Sequence, residues 1–115
     1  MPTFQNPGGI TLMASLRAEV IDLCRRSGVL VVEDNPYGLL SFTGEPVRAM
    51  RAMCADAPDD VVYLGSFSKI LAPGLRVGWA LAPPAVTARL VLAAESAILP
   101  QSMFTQLAVG YSFRS

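Results

Sequence analysis

The chain has 115 residues, 52% of them hydrophobic and 16% charged, and its nine basic and nine acidic side chains cancel. That balance leaves no field to gather nucleic acid or an anionic membrane. With no histidine, Ser-His-Asp and Cys-His catalysis and a His-ligated metal site are excluded within this segment.

An ordinary soluble domain carries roughly 25% charged residues, and a chain this short needs more polar surface, not less. The mean hydropathy of +0.44 therefore predicts a piece of a larger core. No apolar run reaches the ~18 residues of a membrane span, and no basic region followed by an apolar stretch succeeds Met1. Cys24 and Cys54 lack metal-type spacing and read as reduced, buried thiols of a cytoplasmic protein.

In chain order, Pro2 to Gln5 reads as the tail of a strand, and Asn6-Pro7-Gly8-Gly9 is turn chemistry. From about Ala14 to Ser27, Leu16, Val20, Leu23 and Cys24 recur at helical spacing with Ile21 widening the stripe, while Arg17, Asp22, Arg25 and Arg26 sit mostly off it. Arg25 and Arg26 suit the last turn and Gly28 the C′ position, and Thr11 and Ser15 are both candidate N-caps. Val29-Leu30-Val31-Val32 predicts a buried parallel strand that ends in Glu33-Asp34, before the turn Asn35-Pro36-Tyr37-Gly38. In an open α/β sheet, ligands gather beyond the carboxyl ends of the strands, so Asp34 stands where a ligand-contacting carboxylate is expected. Capping of the turn by Glu33 and Asp34 is the competing reading.

Residues 39–60 predict one short helix, with Met50 and Met53 as core filler. Val61-Val62-Tyr63-Leu64 predicts a second buried strand, parallel to the first. Val77 to Ala82 predicts a third, antiparallel because only a short turn precedes it. Pro84 suits the first position of a helix with Val86, Leu90, Ala93 and Ala97 on one face. The pattern breaks over Ser96 to Pro100 and resumes as a helix from Ser102 to Phe113.

Between the second and third strands lies Ser66-Phe67-Ser68-Lys69, with Arg76 after Pro73-Gly74. A lysine at the end of a core strand is expected to be desolvated, which lowers its pKa and makes it an amine nucleophile. Two hydroxyls and a guanidinium beside it form a phosphate grip. A carbonyl-attacking lysine next to a phosphate site suggests pyridoxal phosphate chemistry.

The runs Gln5-Asn6-Pro7-Gly8-Gly9, Glu33-Asp34-Asn35-Pro36-Tyr37 and Gly65-Ser66-Phe67-Ser68-Lys69 together resemble the fold type I pyridoxal phosphate enzymes, class I/II aminotransferases in particular. The subgroup they are most similar to includes 2-aminoadipate aminotransferase-like enzymes and the aminotransferase-like domains of GntR-type regulators. The resemblance implies an α/β fold: part of a mostly parallel sheet flanked by helices, with the last strand antiparallel and a further strand ending at Gln5. It implies that residues 1–115 are part of the cofactor-binding large domain, with the N-terminal part of that domain and the C-terminal small domain outside the chain.

By the same resemblance Lys69 is the Schiff-base lysine and the proton shuttle, Asp34 pairs with the pyridine nitrogen, and Tyr37 and Asn6 hold the phenolic oxygen. Ser66 and Arg76 hold the phosphate, with Ser68 a further phosphate or supporting contact. The implied partners are an α-amino acid and a 2-oxo acid, with a homodimer in the full-length parent and neither nucleic acid nor membrane engaged by this segment. Gly8 stands where the family's commoner loop has threonine. The upstream phosphate loop, the ring-stacking aromatic and the substrate-carboxylate arginine have no counterpart, Arg89 and Arg114 being read as solvated. Turnover by this chain alone is therefore expected to be low. A cofactor-binding effector domain of a GntR-type regulator and an inactive remnant are the alternatives.

Overall fold

The computed structural model describes residues 1–42, 44, 47–97 and 102–112. Three strands, β1 (Val31–Asp34), β2 (Val61–Ser66) and β3 (Gly78–Leu81), form one sheet in the order β1-β2-β3. β1 and β2 are parallel, with Val31 opposite Val61 and Asp34 opposite Leu64. β3 returns antiparallel, with Ser66 opposite Gly78 and Tyr63 opposite Leu81, as the short connection requires. β2 is central, and its Val61 and Val62 are both buried although they point to opposite faces.

The first strand differs from expectation. Val29 and Leu30 precede it and are exposed, Val32 is 58% exposed, and the fully buried side chain is Glu33. β1 has one neighbour in this sheet, so Val32 stays open at the sheet edge although its register partner Val62 is buried. Residues 2–5 do not form a strand. Pro2 and Gln5 direct their backbone bonds into a closed loop, Leu12 N–H donating to Pro2 O (2.8 Å) and Gln5 N–H to Ile10 O (2.9 Å). Phe4 within it adopts φ 47°, which a strand cannot accommodate.

Helix α1 (Ala14–Arg26) covers one face of β1 and β2 together with α2 (Met50–Met53). Ile21, Met50, Cys54 and Val61 form the core there, with Val31 and Met53 packed against it. Burying each such side chain stabilises by about 1.5–3 kcal/mol. α1 starts after Met13 without a side-chain cap. Ser15 lies within the helix, and Thr11 Oγ1 instead accepts Phe4 N–H at 3.1 Å. Gly28, at φ 65°, ends α1 as expected, and Val29 N–H closes onto Cys24 O.

The buried face of α1 is not the predicted one. Leu16, Val20 and Leu23 are exposed, whereas Arg17 is fully buried beside Ile21. Arg17, Ile21 and the half-buried Cys24 follow the same i, i+4, i+7 spacing, and oxygens from outside the helix draw the guanidinium inward.

Helix α3 (Pro84–Ala97) starts at Pro84 as expected and buries no residue; α4 (Met103–Ser112) buries Val109 alone. α3 runs through Ser96 and Ala97, past the expected break. Ile98 to Pro100, Phe113 and Arg114 lie outside the described residues. No helix among the described residues is long and apolar enough to cross a membrane.

Candidate active site

Because β1 and β2 are parallel, their last residues Asp34 and Ser66 lie at the same edge of the sheet. The ladder continues one residue past Asp34, with Asn35 N–H donating to Leu64 O at 3.0 Å. The chain then turns through Pro36 and Tyr37, closed by Leu40 N–H to Tyr37 O (2.9 Å). Asn35 is buried inside this turn. A Cβ at Gly38 would stand 2.3 Å from Asn35 Nδ2, so only glycine fits over it. Asn35 Oδ1 has no partner among the described residues.

After Ser66 the chain forms the lysine turn. Phe67 N–H donates to Val77 O (3.0 Å), and Phe67 O accepts Leu71 and Ala72 N–H (2.9 and 3.1 Å). Ser66 Oγ accepts Ser68 N–H at 3.1 Å, so the two hydroxyl residues act as one unit. Gly65 is fixed by packing, because a Cβ there would meet the Trp79 ring at 2.3 Å, and Trp79 packs on Phe67 with ring centroids 4.6 Å apart.

Lys69 is exposed, so desolvation by the core is not what sets it apart. It sits three residues beyond the end of β2, whereas the buried part of that strand is Val61 and Val62. What the structure shows instead is proximity: Lys69 Nζ lies 5.9 Å from the centroid of the Tyr37 ring. Lys69 is also the only lysine of the chain.

Arg76 follows the short 3-10 turn Pro73–Leu75 and adopts the left-handed conformation, φ 53° and ψ 34°. For a non-glycine residue that conformation costs about 1–2 kcal/mol. Its guanidinium is exposed and makes no hydrogen bond or ion pair among the described residues.

Asn6 is exposed on the loop between Gln5 and Gly9, whose N–H donates to Gln5 O at 2.5 Å. Phe4, Gln5, Asn6, Pro7 and Gly9 form one wall of an open cleft of about 620 Å³, and Tyr37, Leu40 and Phe42 form the other. A larger hollow of about 760 Å³ is lined by α4 alone and holds none of the candidate residues.

The structure thus brings Lys69 to Tyr37, Tyr37 to Asn6 across a cleft, and Ser68 to Ser66. Asp34 and Arg76 share the neighbourhood through topology, without side-chain contact to the others. An amine, a phenol, a carboxylate, an amide, two hydroxyls and a guanidinium bordering one sheet edge can hold an anionic ligand that also offers a carbonyl to the amine.

Several buried polar residues behind the site were not singled out from the sequence. Glu33 Oε1 and Oε2 accept the N–H groups of Met50 and Arg51 at 3.0 and 3.2 Å. Arg17 stands 4.0 Å from Glu33 Oε1; burial lowers its pKa below the ordinary guanidinium value, and the Glu33 carboxylate opposes that. Burial raises the Tyr63 phenol and the nearby Glu33 adds to the rise, while Asn35 opposes it. Glu33 was visible only as a turn-capping alternative, and Arg17 only as one arginine off the stripe.

The description "Aminotransferase class I and II" belongs to the family whose model matches residues 2–113. Aromatic-amino-acid aminotransferase 1 of Thermococcus litoralis is 44% identical over 107 residues, covering 93% of this chain and 25% of that protein. The uncharacterized HTH-type transcriptional regulator YisV of Bacillus subtilis is 39% identical over 90 residues, covering 78% of this chain and 18% of that protein. Among solved structures, the α-aminoadipate aminotransferase LysN of Thermus thermophilus, complexed with N-(5'-phosphopyridoxyl)-L-leucine, matches with a TM-score of 0.89 at 37% identity. The match covers 95% of this chain and 28% of that one. The chain spans about a quarter of the length of the aminotransferases it matches. With residues 2–113 matched by the family model, and with the likeness to these relatives in sequence and fold, this chain belongs to the class I and II aminotransferases.

Proposed function

We propose that the protein is a pyridoxal phosphate-dependent aminotransferase exchanging an amino group between an α-amino acid and a 2-oxo acid. In this reading its 115 residues are the cofactor-holding part of a larger domain. The observation that carries it is the placement of the chain's only lysine, in the turn that follows β2 and 5.9 Å from the centroid of the Tyr37 ring.

The residues present fit the cofactor by their chemistry. Ser66, Ser68 and the exposed Arg76 offer hydroxyl and guanidinium donors to a phosphate. Tyr37 and Asn6, which line the same cleft, offer donors to a phenolate oxygen. Asp34 offers a carboxylate that favours the protonated pyridine nitrogen. The bound cofactor supplies an electron sink that stabilises negative charge at the substrate Cα. Lys69 Nζ, once its amine is free, would take the proton from the substrate Cα and redeliver it, which its exposed position permits. Tyr37 beside it holds a hydrogen-bond donor at the oxygen end of the site. The protein works in the cytoplasm as a homodimer in this reading.

A second reading, a cofactor-binding effector domain of a GntR-type regulator, is favoured by the likeness to YisV. The aminotransferase likeness covers more of the chain at higher identity, 93% at 44% against 78% at 39%. The two share the cofactor and differ in turnover.

The natural polypeptide that carries these residues is expected to be yellow when loaded and to lose that absorbance on borohydride reduction. It is also expected to convert a 2-oxo acid to its amino acid. A coloured protein without turnover on any amino acid would favour the regulator. The 115-residue chain alone is expected to show little or no transamination, and robust turnover by a monodisperse preparation of it would contradict the division of the site proposed here.

A further inference from the structure

Arg17 is a charged side chain with no exposed surface, on a helix whose apolar neighbours Leu16, Val20 and Leu23 are left open. Its guanidinium donates to four oxygens, three at the two ends of the Asn6 loop and one before α2. One terminal nitrogen reaches Pro2 O and Thr3 Oγ1, both at 2.9 Å. Nε reaches Leu12 O at 2.8 Å, and the other terminal nitrogen reaches Arg48 O at 3.1 Å. Glu33 Oε1 stands 4.0 Å away.

Pro2, Thr3 and Leu12 are the two ends of the loop that carries Asn6. That loop's other hydrogen bonds close on itself: Leu12 N–H to Pro2 O, Gln5 N–H to Ile10 O, Gly9 N–H to Gln5 O and Phe4 N–H to Thr11 Oγ1. Among the described residues, the hydrogen bonds that tie it to α1 and to the start of α2 run through Arg17. On the other side, Glu33 precedes Asp34 on β1 and is itself held by the amides of Met50 and Arg51. A buried ion pair is often replaceable by apolar residues without loss of stability, so stability alone does not call for this arginine. A rigid planar fork with donors in fixed directions does something an apolar side chain cannot, because it sets the angle between the segments it joins.

We propose that Arg17 is a positioning residue for the cofactor grip: acting through the Thr3 hydroxyl and Glu33, it fixes the Asn6 loop relative to the strand end that presents Asp34. The inference rests on the reading that Asn6 and Asp34 hold pyridoxal phosphate. Fully buried, Arg17 has no surface of its own to offer a cofactor.

The test uses the natural polypeptide carrying these residues, titrated with pyridoxal phosphate. The readouts are the dissociation constant and the pH midpoint of the bound cofactor's absorbance change. Asn6→Ala tests the underlying reading, Thr3→Val removes only the hydroxyl that Arg17 grips, Thr3→Ser restores it, and Arg17→Lys keeps charge without the fork. Thr3→Val and Arg17→Lys are expected to weaken cofactor binding by about threefold to tenfold and to move the pH midpoint in the direction that Asn6→Ala moves it. Each is expected to add little once Asn6 is already alanine, since residues acting through one another are not additive. Thr3→Ser is expected to return both readouts to wild type. If Arg17→Lys does not fold, the threonine pair decides alone. Asn6→Ala with an effect fully additive to Thr3→Val, or Thr3→Val with wild-type affinity and midpoint, would overturn the positioning role while leaving the cofactor reading standing. Asn6→Ala indistinguishable from wild type would overturn both.

Discussion

The turn that presents Tyr37 is built on space. A Cβ at position 38 would lie 2.3 Å from Asn35 Nδ2 and 2.7 Å from its Cγ and Oδ1, and Asn35 is buried with its backbone on the ladder to Leu64. Gly38→Ala therefore has to displace Asn35 or the turn. The expected cost is about 1–3 kcal/mol of stability in a denaturant melt, with weaker pyridoxal phosphate binding through Tyr37. At Cys54, burial pushes the thiol above its ordinary 9.0, and Arg25 opposes that. Burial likewise pushes the Tyr63 phenol above 10.0. Both groups hold their protons more tightly folded than unfolded, so their contribution is full below the unfolded values and is lost as pH rises through the folded ones. The denaturation midpoint is expected to fall as pH rises above about 9, and Cys24, half-buried, is expected to alkylate before Cys54. Equal labelling rates for the two thiols would contradict the burial of Cys54. Lys69, Tyr37, Asn6, Ser66 and Ser68 were legible as motif positions because short runs carry them. The exposure of Lys69 was not, because the turn beyond Ser66 is closed by Val77, just before the returning strand.

Between β2 and β3 the fit of Gly65 under Trp79 joins the sheet to the lysine turn. An added methyl at 65 would meet the indole at 2.3 Å. The indole rests on Phe67, whose N–H to Val77 O closes the turn. Gly65→Ala is expected to destabilise by about 1–3 kcal/mol and to change the near-ultraviolet circular dichroism of the chain's single tryptophan. An unchanged spectrum would show that the indole is not held there. Strand and helix identities were legible at this scale: β2, the antiparallel β3, the extent of α1 and the start of α3 at Pro84 all follow from local pattern and proline or glycine placement. Two features were not. The stripe Leu16, Val20, Leu23 outweighs one arginine in any periodicity, yet Arg17 is the residue turned inward, held by oxygens as far away as Arg48. Pro2 to Gln5 has strand-like composition, but its backbone bonds go to residues 10 and 12 of its own loop.

Across the whole molecule, apolar surface stands open on several elements: Leu16, Val20 and Leu23 on α1, Leu90, Val91 and Leu92 on α3, and Phe104, Leu107 and Tyr111 on α4. Val32 adds to it on β1, an edge strand in this sheet. Such area exceeds scattered surface hydrophobes and drives association. The 115-residue chain on its own is expected to elute larger than a monomer and to bind a hydrophobic dye, and a monodisperse monomer without dye binding would contradict that. The high hydropathy made this legible in the sequence; which faces stay open was not, since that depends on where α1 docks. The central claim concerns one amine. Loading the natural polypeptide with pyridoxal phosphate, reducing it with borohydride and mapping the modified peptide by mass spectrometry tests it most directly. The reduced cofactor is expected on Lys69, with no adduct after Lys69→Ala; an adduct confined to another amine, or one that survives the substitution, would overturn the role of Lys69.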